Sequence, residues 1–76
     1  MAQTDLLVMD VRGLTGPLSE ELWRHEERVG RFIALIGTPG LAQEADQAIE
    51  EFLRRGAFRL RRQVDEGAGL TVLERG

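Results

Sequence analysis

A run of consecutive apolar residues, Phe32–Ile36, places the strongest constraint on the fold of this chain. The run is too short for a buried helix, and it ends at the turn-forming sequence Gly37-Thr38-Pro39-Gly40. A segment that is apolar at every position is typical of a strand with protein on both of its faces. The sequence therefore predicts a buried strand at Phe32–Ile36.

Other segments also have the features of strands. Leu6–Val11 is a short apolar run that closes at Arg12-Gly13. After Gly56 the apolar period drops to two, which predicts a strand. One face of this strand is predicted to hold Phe58, Leu60 and Val64, and the opposite face Arg59, Arg61 and Gln63. Arg62 breaks the alternation. Asp65–Gly69 supplies a turn and Leu70–Arg75 a returning strand, so the chain is predicted to end in a hairpin.

A first helix is predicted from about Pro17 to Val29, with Gly30 as its end. Proline suits the first helical position because its missing N–H costs nothing there. Glu20 and Glu21 follow in the first turn, where the helix dipole favours carboxylates. The apolar residues predicted to face the core are Leu18, Leu22, Trp23 and Val29.

A second helix is predicted to begin near Leu41 and to stop at Gly56. Its apolar residues recur at steps of three and four, at Leu41, Ala45, Ala48, Ile49, Phe52 and Leu53. Arg54 and Arg55 lie in the last turn, where the dipole favours cations. Thr38 is predicted to cap the beginning of the helix.

The element order is therefore β-α-β-α-β-β in one domain, residues 1–76. It predicts a two-layer α/β sandwich in which a four-stranded mixed sheet carries two helices on one face. Two helices can bury only one face of the sheet. Leu6 and Val8 share one side of the first strand, and Phe32–Ile36 is apolar on both sides. We therefore expect an uncovered apolar patch of the kind found at interfaces.

Composition excludes several classes of function. The chain has no cysteine, which removes disulfides, thiolate metal ligands and thiol nucleophiles. No metal site or cofactor is expected, because His25 has no partner group and Thr38-Pro39-Gly40 lacks the glycines and lysine of a phosphate-binding loop. The net charge of -3 argues against general nucleic-acid binding. Apolar runs too short for a bilayer predict a cytoplasmic protein without membrane contact.

The segment Asp10-Val-Arg-Gly-Leu-Thr-Gly-Pro-Leu-Ser19 links the first strand to the first helix. Together with the element order, it resembles the TusA (SirA-like) family of small bacterial sulfur-carrier proteins, in which a strand ends in Asp-x-Arg-Gly-Leu-x-Cys-Pro-x-Pro. The positions that match this motif are Asp10, Arg12, Gly13, Leu14 and Pro17. Gly16 stands where the family has its cysteine, and Ser19 where it has the second proline.

The resemblance implies sulfur relay through a persulfide on that cysteine, but Gly16 has no sulfur and no other cysteine replaces it. We therefore expect a non-catalytic member of this kind, with no catalytic residue, that binds other proteins as an accessory subunit or a regulator. The partner would be a sulfur-relay protein or a second copy. The loop from Asp10 to Ser19 is the expected docking loop, and Ser19 itself is expected to help to cap the helix.

Two alternatives remain open at the level of sequence. Family membership alone favours a sulfur carrier or sulfurtransferase. A basic cluster favours an RNA-binding or anion-binding domain, and it consists of Arg54, Arg55, Arg59, Arg61 and Arg62. Arg59 and Arg61 are the members predicted to contact a partner or an anion.

Overall fold

A computed structural model describes residues 4–14, 16–38 and 43–76 of the chain. Its elements in chain order are β1 (Thr4–Asp10), a single 3-10 turn (Val11–Gly13), α1 (Leu18–His25), β2 (Val29–Ile36), α2 (Gln43–Arg54), β3 (Phe58–Val64) and β4 (Leu70–Arg75). Neither described helix is long and apolar enough to cross a membrane.

The strands form one four-stranded mixed sheet in the order β1-β2-β4-β3. β1 and β2 are parallel and are connected through α1, whereas β4 is antiparallel to both of its neighbours. α2 carries the chain across β4 to the far edge, so β1 and β3 are the two edge strands. The predicted α/β sandwich, with a mixed sheet and two helices on one face, is confirmed.

The core lies between the sheet and the two helices. Leu22, Ile33, Leu35 and Leu73 have no exposed surface. The Phe52 ring of α2 lies 5.4 Å, centroid to centroid, from the ring of Phe58 on β3. Burial of these large side chains supplies most of the driving force for folding.

The predicted extent of the first helix is wrong at its C-terminal end. α1 ends at His25, and Val29 and Gly30 belong to β2. The chain leaves the helix through tight i to i+3 bonds, from the Glu26 N–H to the Trp23 carbonyl and from the Arg28 N–H to the His25 carbonyl. The Arg75 guanidinium on β4 fixes this exit by donating to the carbonyls of Glu26 and Val29.

The predicted faces of β3 are wrong beyond Leu60. Leu60 pairs with Leu73 and Arg62 with Val72, so that Arg61 is an extra residue in the ladder. Such a bulge reverses the alternation that follows it. Val64 consequently lies on the face opposite to Phe58, and Gln63 on the same face as Phe58.

The predicted Thr38 cap and the predicted start of α2 concern the segment between β2 and α2. Thr38 is fully buried, and its hydroxyl donates to the Thr71 hydroxyl at 3.0 Å; the residues that it was predicted to cap are not among the described ones. The predicted start at Leu41 lies outside the described residues, and the described helix begins at Gln43. The predicted stop is confirmed, since Gly56 has a φ of +88° and its N–H donates to the Leu53 carbonyl.

Candidate functional site

The loop that follows β1 is held by an exposed ion pair between Asp10 and Arg12. Asp10 Oδ1 accepts from the Arg12 backbone N–H at 3.0 Å and from Arg12 Nε at 2.9 Å, and Asp10 Oδ2 accepts from Arg12 Nη2 at 2.8 Å. The side-chain hydrogen bond from Arg12 lowers the pKa of Asp10 below its ordinary value. Asp10 and Arg12, two of the five positions that match the motif, therefore bind each other and shape the loop.

The same loop leads to Gly16 and the beginning of α1. Gly13 and Gly16 are exposed, Leu14 packs against the core, and Pro17 takes the φ of -64° that suits a helix entry. A Cβ built on Gly16 would meet no atom within 4 Å, so the position has room for a side chain. Ser19 makes no capping bond. The N-cap residue is Pro17, which has no side-chain bond to offer, and the expected capping role of Ser19 is therefore wrong.

The loop offers little chemistry of its own. The chain has no thiol, and the described residues contain no group of three or more side chains able to hold a metal ion. His25 is half-buried, and its Nε2 lies 3.9 Å from Glu21 Oε2 across one helical turn. An isolated imidazole beside one carboxylate lacks a nucleophile to activate.

The sheet face away from the helices is apolar over most of its area. The register aligns its residues into rows that cross β1, β2, β4 and β3, namely Leu6-Phe32-Glu74-Arg59, Val8-Ala34-Val72-Arg62 and Asp10-Ile36-Leu70-Val64. We call these residues the open face. The expected apolar patch is present, because Leu6 and Val8 are 54% and 56% exposed.

The charges of the open face lie on its margins. Arg59 Nη2 approaches Glu74 Oε1 at 3.5 Å, and Asp10 is paired with Arg12. The Arg62 side chain, in the central row, makes no hydrogen bond or ion pair with any described residue. Thr71 of β4 is buried on the other side of the sheet. Among the residues that the structure describes, the open face therefore presents an apolar centre with the unpaired Arg62 on its β3 edge and the Arg31 guanidinium 5.5 Å from the centre of the Phe32 ring.

The predicted basic cluster is divided among several acidic partners. Arg54 lies 4.0 Å from Glu50, Arg55 binds Glu26 and Arg59 approaches Glu74. The two exposed members without an acidic partner among the described residues are Arg61 and Arg62. The structure therefore does not gather these arginines into one basic surface.

Sequence reasoning missed a groove between α1 and α2, on the opposite layer from the open face. Trp23, predicted to lie in the core, is 62% exposed and forms one wall of the groove. The misprediction has a physical origin: on a helix of two turns the apolar stripe is narrow, and Trp23 lies one residue beyond the buried Leu22. The sequence signal for an exposed Trp23 was its position directly after Leu22, a residue of the apolar stripe.

No protein-family model, curated protein or solved structure matches the chain.

Proposed function

We propose that this protein is a non-catalytic, TusA-like binding protein that docks a partner protein on its open face. The observation that carries the proposal is the exposure of Leu6 and Val8 on an apolar sheet face that neither helix covers. This face presents eight apolar residues in three rows, and the largest apolar patch on a typical soluble monomer measures about 300 to 600 Å². Patches of this size on small proteins are often functional, and they suit a transient complex.

The resemblance to sulfur carriers supports a place in a sulfur-transfer assembly. The loop matched to the family motif begins at Asp10, and Asp10 is also a corner of the open face. A partner seated on this face would therefore also reach Arg12, which is bonded to Asp10. With no sulfur at Gly16, the protein would occupy the docking site of a carrier or serve as an accessory subunit, and it would do so in the cytoplasm.

The free Arg62 favours a different protein over a second copy. Two sheets packed face to face by a two-fold axis along the strands would place Arg62 against Val8 of the copy. An axis across the strands would place Arg62 against its own equivalent. The second arrangement brings two like charges together, and the first packs Arg62 on an apolar side chain with Asp10, already paired with Arg12, as the nearest carboxylate of the copy. Both arrangements are costly. A partner with an apolar surface and a carboxylate opposite Arg62 would instead satisfy it.

The experiment compares Val8→Asp with Leu60→Asp. Leu60 is a matched control, because it is 47% exposed on the other edge strand and faces the other side of the sheet. Both variants are tested by calorimetry against the purified sulfur-transfer proteins of the source organism. The proposal requires that one of these proteins binds the wild type and the control but not Val8→Asp.

Two results would contradict the proposal. Equal loss of binding in both variants would place the contact elsewhere on the molecule. Concentration-dependent dimerisation of the wild type, abolished by Val8→Asp in sedimentation, would identify a second copy as the occupant of the open face. An unfolding curve measured for each variant confirms that a loss of binding is not a loss of fold.

A further inference from the structure

The groove between α1 and α2 combines an aromatic wall, an apolar floor and an acidic rim. Its volume is about 330 Å³, and it is lined by Ser19, Glu20, Trp23, Ala48, Glu51 and Phe52. This volume is at the low end for ligand sites and suits one long side chain better than a large ligand. The groove belongs to the helix layer and shares no residue with the open face.

The charges of the groove are not neutralised by the protein itself. Neither the Glu20 nor the Glu51 carboxylate forms a hydrogen bond or an ion pair with any other residue that the structure describes. Neighbouring carboxylates on the same helices do have partners, since Glu21 binds Arg24 at 3.0 Å and Glu50 lies 4.0 Å from Arg54. The two carboxylates at the groove are therefore available to a cation from outside.

Trp23 already binds one cation of the protein. The Arg55 guanidinium lies 5.0 Å from the centre of the indole, and Glu26 holds it with bonds of 2.7 and 3.1 Å. This pair fixes the ring against the C-terminal end of α2. The indole of an exposed tryptophan is the aromatic surface that attracts cations most strongly.

From this chemistry we propose that the groove binds an arginine side chain of a partner protein. The aliphatic stem of an arginine packs on an apolar floor, here Ala48 and Phe52, while its head remains at the polar rim. The guanidinium is planar, so that it can stack beside Trp23 and donate to the carboxylates of Glu20 and Glu51. The proposal goes beyond docking on the open face and does not depend on it.

Trp23 provides a direct measurement because it is the only tryptophan in the chain. A short peptide of alternating Ala and Arg is titrated into the full-length protein while the indole emission is followed. We expect a saturable change that weakens as salt is added, because exposed ion pairs are screened. A peptide of alternating Ala and Glu should give no saturable change in the indole emission.

A pair of double variants tests the carboxylates. Glu20→Gln with Glu51→Gln should weaken peptide binding about tenfold, since it removes two exposed charge contacts. Glu27→Gln with Glu44→Gln changes the net charge equally at exposed residues outside the groove, and it should leave the dissociation constant within about twofold.

Three outcomes would overturn the proposal. The first is a titration without saturation, and the second is an equal loss in the two double variants, which would indicate bulk charge. The third is free arginine that binds as tightly as the peptide, which would indicate a small-molecule site. Val8→Asp should titrate like the wild type, so failure of the open face and failure of the groove are distinguishable.

Discussion

The Thr71 hydroxyl on β4 donates to the Thr38 carbonyl at 3.1 Å and accepts from the Thr38 hydroxyl at 3.0 Å. Both threonines are fully buried. Together they tie the segment after β2 to the adjacent strand β4. No buried side-chain polar atom in the described ranges lacks a partner, so this pair satisfies its own polar groups without water.

Thr71→Val is expected to destabilise the protein by about 1 to 3 kcal/mol. The substitution keeps the shape of the side chain but leaves the buried Thr38 hydroxyl and carbonyl without their partner. Urea unfolding followed by circular dichroism measures the change. Thr4→Val is the control, because its hydroxyl bonds locally to the Leu6 carbonyl in an exposed position. Equal midpoints for the two variants would contradict the buried pair.

Phe52→Ala is expected to cost about 3 to 5 kcal/mol. Phe52 is 2% exposed and packs against Phe58, so truncation removes a large buried area and leaves a cavity. Gln47→Ala, at an exposed position of the same helix, should change the free energy of unfolding by less than about 0.5 kcal/mol. A thermal midpoint for Phe52→Ala equal to that of the wild type would refute the packing of α2.

Acid should selectively remove the contribution of the Glu26–Arg55 pair. The hydrogen bond from Arg55 lowers the pKa of Glu26 in the folded state. A lowered folded pKa means that the unfolded chain takes up the proton first, at about pH 4.3. The stabilisation is therefore complete above that pH and is lost as the pH falls through the folded pKa.

The measurement compares the wild type with Arg55→Gln in unfolding experiments between neutral and acidic pH. The difference in unfolding free energy should be present at pH 7 and shrink below about pH 4. Arg54→Gln is the control, because its partner Glu50 lies 4.0 Å away and both side chains are largely exposed. A difference that stayed constant down to low pH would show that Glu26 is not the titrating partner.

Elements with strong periodicity were predictable from the sequence. The stripe of α2 extends over three turns and ends at a glycine, and Leu70–Arg75 follows a glycine-rich turn, so local signals agreed with tertiary packing. The end of α1 was not predictable in this way. It depends on Arg75, which reaches Val29 from the other end of the chain.

The two candidate binding surfaces were only partly predictable from the sequence. An apolar run on β2 with too few helices to cover it was enough to predict the open face. The charge on the open face was not predictable, because the extra residue Arg61 in β3 places Arg62 on the open face and Gln63 on the opposite face. The groove could not be predicted, because it forms only where α1 packs beside α2. The sequence positions of Glu20 and Glu51 do not indicate that both residues line it.

Gly16→Cys is expected to produce a reactive thiol that accepts sulfur poorly. The exposed position has open space for a side chain, and Gly16 precedes Pro17 at the beginning of α1. Free N–H groups and the positive dipole end there should lower the thiol pKa below about 8.5, although Glu20 and Glu21 in the first turn oppose the shift.

The thiol pKa is measured from the pH dependence of alkylation, and sulfur acceptance by mass spectrometry after incubation with a cysteine desulfurase and cysteine. A cysteine at Ala68 is the control, because Ala68 lies in the exposed turn between β3 and β4 and belongs to neither described helix. A pKa at Gly16→Cys no lower than that of Ala68→Cys would show that the helix start does not act on the site. Efficient persulfide formation on Gly16→Cys would mean that the chain has lost only the sulfur atom of a carrier, and it would contradict the proposed role as a binding protein.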